Sequence, residues 1–168
     1  MDYSRIGETV NAGKELVDVK TVLEDLLEER RSEFQDAGIA FDIDWKDETV
    51  VVASKKQLFS IFENLLLNSK EALTNVRLPS DRPKVIEFRT KVENGHLLVK
   101  IKDNGIGIDG KIRDRIYEPF FTNNPATGTG LGLSSAMKYL SLYDGEMSFD
   151  TVPGDWTEFT VSMQLEKR

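Results

Sequence analysis

The 168-residue chain contains no cysteine and a single histidine, His96. Without cysteine there is no disulfide framework and no thiolate site. With one imidazole, no zinc centre requiring two can form. Long apolar runs are missing too: none approaches the ~18 residues that would read as a membrane span, and no signal peptide is visible. Basic residues are the minority, 22 Lys and Arg against 29 Asp and Glu for a net charge of −7, and they never run beyond two in succession. That distribution argues against nucleic acid as the main partner. A soluble, cytoplasmic piece is expected, large enough for one domain with a true core.

What the sequence does have is a patterned stretch from Gln57 to Ala72. Leu58, Ile61, Phe62, Leu65, Leu66 and Leu73 recur at three- and four-residue spacing, which predicts a helix with one buried stripe. Ser54 is placed to cap it, with Gln57 three residues on completing a capping box. Asn64 and Asn68 stand four residues apart and share a face. Two amides on one edge of an apolar helix need partners if they are buried.

Around this helix the chain predicts an α-β-β-α-β-β-α-α-β-β order. Residues 1–14 lack a period and read as a tail. A helix over 17–36 carries a stripe of Val19, Val22, Leu23, Leu26, Leu27, Arg30 and Phe34, with Gly38 closing it. Strands follow over 39–44 and 49–53. Lys84 to Val92 and Leu97 to Lys102 form a hairpin about Asn94-Gly95, which leaves His96 exposed beside the turn. A short helix over 111–117, another over 130–143 and two strands over 146–151 and 158–164 complete the set. Hairpins in place of regular β-α-β alternation point to helices on one face of a mixed sheet.

Two glycine-bearing loops interrupt the pattern. Gly105-Ile106-Gly107-Ile108-Asp109-Gly110 satisfies Gly-x-Gly-x-x-Gly after a strand, but a dinucleotide fold would need a full helix returning to a parallel strand. Here Glu118-Pro119 and then Gly128-Thr129-Gly130-Leu131-Gly132 intervene. No P-loop sequence is present. Gly128 to Ser134 opens directly into a helix, where free backbone N–H groups suit phosphate oxygens.

In combination, Asn64-Leu-Leu-Leu-Asn68, Asp103-Asn-Gly-Ile-Gly107, Glu118-Pro-Phe-Phe-Thr122 and Gly128-Thr-Gly-Leu-Gly-Leu-Ser134 resemble the N, G1, F and G2 boxes of the GHKL superfamily of ATP-binding proteins. The match is closest to the catalytic and ATP-binding domain of bacterial sensor histidine kinases, over residues 17–165. The resemblance implies an α+β, two-layer sandwich of Bergerat type, with a mixed sheet of about five or more strands and a mobile ATP lid over 122–129. It implies Asp103 as acceptor for the adenine amino group, and Gly105, Gly107 and Ile108 as close neighbours of the ring. Asn68 would coordinate Mg²⁺, and Asn64 would support the phosphates or the metal's waters. Glu71, Thr129, Gly130, Leu131, Gly132, Leu133 and Thr157 complete the implied nucleotide site. Phe120 and Phe121 would serve as hinge, docking contact or core.

Relatives that hydrolyse ATP carry a Glu where Asn64 stands. An amide cannot take a proton from water, so transfer to another nucleophile is favoured over hydrolysis. Glu63, about 100° around the helix, is read as supporting or exposed. The expected acceptor is a histidine on a separate dimerisation hairpin, whose last turns Tyr3-Ser4-Arg5-Ile6 resemble; residues 1–16 are then a tail and 17–168 the catalytic domain. A response regulator is the expected downstream partner, and the isolated chain is expected to be monomeric. A regulatory pseudokinase module and an anti-sigma-type serine kinase share the boxes and stay open. Three departures stand out. Trp156 replaces a glycine of the last box, Glu71 and Asn124 stand where many kinases carry a basic residue, and no Lys or Arg lies between Glu118 and Ser135. The triphosphate would then need Mg²⁺, the loop N–H groups, or a cation from elsewhere such as Lys70, Arg113 or Arg115.

Overall fold

The computed structural model describes residues 13–46, 49–122 and 130–166. Its elements are β1 (Glu15–Asp18), α1 (Val19–Asp36), β2 (Ile39–Asp44), β3 (Val50–Ala53), α2 (Lys55–Leu73), β4 (Lys84–Glu93), β5 (His96–Asp103), α3 (Gly132–Ser141), β6 (Glu146–Val152) and β7 (Trp156–Gln164). Five strands form one mixed sheet in the order β2-β4-β5-β7-β6, in which only β2 and β4 run parallel. The helices cover one face of it, as the patterning predicts.

Alternation builds that face. Ile86 and Phe88 of β4, Leu97, Val99 and Ile101 of β5, and Phe159, Val161 and Met163 of β7 are all buried. Their sequence neighbours point to the other side and stay half-buried or exposed. The opposing layer is α2, which packs on β5 with α1 and α3 beside it. Leu58, Ile61, Phe62, Leu65, Leu66 and Leu73 are at most 1% exposed, so its predicted stripe is the centre of the core.

Local signals set several boundaries. Ser54 caps α2 by accepting from Gln57 N at 3.4 Å. The reciprocal half of the capping box does not form. Tyr143 enters between the two residues instead: its hydroxyl accepts from Ser54 N at 3.1 Å and donates to Gln57 Oε1. Asn94 and Gly95 both have positive φ, 51° and 76°, which gives the tight turn expected of an Asn-Gly hairpin.

Three expectations need correction. The first helix starts at Val19, because Val17 pairs with Val51 in a two-stranded antiparallel sheet of β1 and β3. Asp18 is the cap, its carboxylate accepting from Lys20 N and from the Thr49 hydroxyl. Glu15 and Leu16, placed in the tail by pattern, therefore belong to a strand. The helix expected over 111–117 is only a 3₁₀ turn at Arg113–Arg115. The helix expected from residue 130 starts at Gly132. The residues that resemble the end of a dimerisation hairpin lie outside the described residues.

Among the described residues, no helix is long and apolar enough to cross a membrane. Because the Tyr143 hydroxyl bridges the α2 cap to the end of α3, Tyr143→Phe is expected to cost about 1–2 kcal/mol. Urea unfolding of the two proteins checks this; equal midpoints would mean that water replaces the hydroxyl.

Candidate functional site

A cavity of about 330 Å³ opens between α2, the C-terminal end of β5, the loop after it and the start of α3. One stripe of α2 forms its floor: Asn64, Leu67, Asn68, Glu71 and Ala72 line it, with Asn75 just beyond the helix end. These positions recur at three and four residues on the flank away from the core stripe, so burying one face necessarily turns the other to the cavity.

Asp103 ends β5 on the buried face and is 2% exposed. Register fixes its neighbours: it pairs with Ile86 on β4 and with Thr157 on β7, and Thr157 in turn with Thr151 on β6. Gly105 N donates to its Oδ1 at 2.9 Å, and the Ser69 hydroxyl also donates to the carboxylate. No basic side chain pairs with it; Arg82 acts only at a distance. Burial therefore wins over the hydrogen bonds and pushes the Asp103 carboxyl up to about 6.

Close approach explains two glycines. A side-chain carbon at position 105 would lie 2.7 Å from Ala72 Cβ, so only glycine lets this loop touch α2. Ile106 N then donates to the α2 carbonyl of Ala72 at 3.2 Å. Gly107 has a φ of +69° and abuts the Val152 backbone, where any Cβ would collide. Ile108 follows on the wall, its N–H held at 2.9 Å by Thr151 Oγ1. That hydroxyl also meets Thr157 Oγ1 at 3.0 Å and donates to Trp156 O at 2.8 Å. Thr151 uses its one donor and two acceptor positions to lock three segments of the wall.

Gly132 sits against Asn64, with its Cβ position 3.4 Å from Asn64 Oδ1. The N-terminal N–H groups of α3, which no helical turn can satisfy, thus lie next to the asparagine face of α2. Leu133 and Gly130 line the cavity, and Gly130 O accepts from Phe120 N at 2.8 Å. Leu131 precedes α3, is 39% exposed and is not on the wall. Thr129, Gly128, Asn124 and most of the expected lid lie outside the described residues. Of the phenylalanine pair, Phe121 lines the cavity while Phe120 is 77% exposed, so Phe120 is not core.

The three cations named as candidates for the phosphates have partners of their own. Lys70 Nζ is 2.6 Å from Glu33 Oε1 and lies over the Phe34 ring. Arg113 and Arg115 stack 4.6 Å from the centroids of Phe149 and Phe121. Glu63 is neither cavity-lining nor free: it pairs with Arg30 of α1. Asn104, inside the motif, serves the backbone, accepting from Val85 N and donating to Pro83 O.

The pattern did not single out Ser69, Thr151 or Ile112, Ile116 and Phe159, which supply apolar wall. Ser69 was findable in principle, as a hydroxyl within the buried stripe of α2. The apolar wall residues were not, since each reads as ordinary core.

Residues 53–167 match the family described as histidine kinase-, DNA gyrase B-, and HSP90-like ATPase. The signal transduction histidine-protein kinase AtoS of Escherichia coli strain K12 is 28% identical over 145 residues, covering 83% of this chain and 23% of AtoS. Among solved structures, the nucleotide-free catalytic domain of histidine kinase ThkA has a TM-score of 0.76 at 19% identity, covering 90% of this chain and 95% of that one. Full-length ShkA in complex with AMPPNP has a TM-score of 0.77 at 19% identity, covering 92% of this chain and 32% of that one. The two structures bear on the fold, which they share, and AtoS shows that the chain spans under a quarter of such a relative. The chain belongs to the histidine kinase-, DNA gyrase B- and HSP90-like ATPase family and corresponds within it to the catalytic, ATP-binding domain of sensor histidine kinases.

Proposed function

We propose that the cavity binds Mg-ATP and that the chain directs the γ-phosphoryl group to a histidine on a separate dimerisation hairpin, with a response regulator as the later recipient. In this reading the residues before Glu15 lead from that hairpin, and those from Glu15 onward carry the chemistry. The observation that carries the reading is the Asp103 carboxylate, buried without a cation in a largely apolar cavity that Asn64 and Asn68 also line.

The residues fit the ligand. An exocyclic amino group is the donor that an unpaired buried carboxylate requires, and Asp103 accepts it, which selects adenine over guanine. Ile106, Ile108 and Phe159 supply apolar contact for a planar ring. Asn68 offers a hard amide oxygen suited to Mg²⁺, which keeps waters and takes phosphate oxygens as its remaining ligands. When bound, Mg-ATP supplies the electrophilic phosphorus and neutralises its own developing charge. Asn64 holds phosphate or metal-bound water and cannot remove a proton from it. The N–H groups of Gly132 and Leu133 at the α3 N-terminus, together with Gly130, meet the phosphates from above. Thr157, fixed by Thr151, orients a water or the base edge beside Asp103.

Three outcomes are expected. Mixed with the kinase's phosphoacceptor hairpin, Mg²⁺ and labelled ATP, the chain should place acid-labile, base-stable phosphate on the hairpin, and Asn68→Ala and Asp103→Ala should abolish it. ATP bound with no label transferred would instead indicate a regulatory module. Asn64→Glu, which restores a general base, should raise ATP hydrolysis at least about tenfold; an unchanged rate would remove the argument drawn from the amide.

The third concerns Asp103 without nucleotide. Its folded value of about 6 lies above the unfolded ~3.9, so folding favours the protonated form. That stabilisation is present below about pH 4 and is lost as pH rises through about 6, a change of up to ~3 kcal/mol. Asp103→Asn keeps an acceptor for Gly105 N but does not ionise. It should melt higher than the unaltered protein at pH 7.5, by a margin that shrinks to about a third at pH 4.5. Thermal melts at both values check this, and a pH-independent difference would contradict it.

A further inference from the structure

The described wall of the cavity carries two carboxylates, Asp103 and Glu71, and no Lys, Arg or His. The nearby cations have other partners: Lys70 pairs with Glu33, Arg113 lies on the Phe149 ring, Arg115 pairs with Glu118 and lies on the wall residue Phe121, and Arg82 bonds the carbonyl of Gly154 at 2.9 Å and the Asp155 carboxylate at 3.2 Å. A site for a polyanion therefore presents, among its described residues, only negative side-chain charge.

Glu71 is the unexplained member. Asp103 is held by Gly105 N and Ser69, whereas Glu71 makes no hydrogen bond or ion pair among the described residues. Burial alone acts on it, and pushes its carboxyl up from the ordinary range. It stands three residues after Asn68 on the same face of α2, and both line the cavity. An unpaired carboxylate one turn from an amide oxygen has opposite effects in two circumstances. Toward bare phosphates it is repulsive. Toward a hard divalent cation it is the preferred kind of ligand, directly or through a bound water.

Resting on the reading of this cavity as a nucleotide site, we infer that Glu71 is a specificity-determining residue that makes polyphosphate binding conditional on a divalent cation. It shares the coordination sphere of the cation with Asn68 and rejects ATP that arrives without one. A lysine or arginine at this position would bind the phosphates directly; this chain delegates that task to the metal.

The test is a set of calorimetric titrations with ATP in Mg²⁺, ATP in excess EDTA, and adenosine, on the unaltered chain, Glu71→Gln and Glu71→Lys. For the unaltered chain, Mg²⁺ should tighten ATP by at least about 100-fold. Glu71→Gln should bind metal-free ATP more tightly and Mg-ATP more weakly, shrinking that ratio about tenfold. Glu71→Lys should bring metal-free ATP close to Mg-ATP. Adenosine affinity should stay within about twofold in all three, which reports an intact fold and places the effect at the phosphate end. As a second readout, Mn²⁺ in the ATP complex, followed by electron paramagnetic resonance, should bind more weakly to Glu71→Gln. An unchanged Mg²⁺ ratio in Glu71→Gln, with ATP still bound, overturns this inference alone. Failure of the unaltered chain to bind either ATP or adenosine overturns the nucleotide-site reading and this inference with it.

Discussion

The seating of α2 on the sheet is the constraint from which the other features follow. Leu58, Ile61, Phe62, Leu65, Leu66 and Leu73 are removed from water almost completely, each worth about 1.5–3 kcal/mol of apolar burial at the upper bound. That stripe fixes the rotation of the helix about its axis. Once rotation is fixed, Asn64, Asn68 and Glu71 have no freedom to face elsewhere, and Ser69 is delivered onto the Asp103 carboxylate at the end of β5. The core therefore positions the polar face, and a substitution that let α2 roll by one residue, about 100°, would lose both together.

A helix of 19 residues has room for a third function, and α2 uses it. Glu63 and Lys70, seven residues apart, share the flank that meets α1, where Arg30 and Glu33 are waiting. Arg30 touches both Glu33 and Glu63, and Lys70 closes the chain of charges on Glu33. These side chains are roughly a quarter to a third exposed, so the network is better regarded as fixing the angle between the two helices than as a large source of stability. Its functional consequence is negative. Lys70, adjacent to Glu71 in sequence, is held on the far side from the cavity.

This division explains which features the sequence disclosed. The α2 core stripe, its Ser54 cap and the asparagine face were legible because 3.6-residue periodicity and capping chemistry are local. The Asn94-Gly95 hairpin was legible for the same reason: positive φ at two successive residues restricts the residue types available. β1 was not. Four residues make no period, and Glu15–Asp18 is a strand only because Val50–Ala53, more than thirty residues later, pairs with it. That Lys70 turns to Glu33 was not legible either, because proximity in sequence to Asn68 does not reveal which flank of the helix a lysine occupies. Tyr143 displacing half of a capping box likewise depends on the end of α3 arriving beside Ser54, a contact across 89 residues.

Charge accounts for the remaining asymmetry between the two ends of the cavity. In the proposed reading, Asp103, costly to ionise and already held by Gly105 N and Ser69, would recognise the base by one further neutral donor within an apolar wall. At the phosphate end, the chain offers amide oxygens, backbone N–H groups at the start of α3 and one unpaired carboxylate. Backbone N–H groups can hold phosphate oxygens without a net charge, but they cannot neutralise several negative charges in a partly dry site, and Glu71 adds to those charges. In the proposed reading, electrostatics calls for a cation before any catalytic role is assigned to it. The same balance separates this arrangement from one in which a side-chain lysine neutralises the phosphates: neutralisation by a mobile ion leaves with the nucleotide, so the empty site reverts to net negative charge and disfavours rebinding of metal-free polyphosphate.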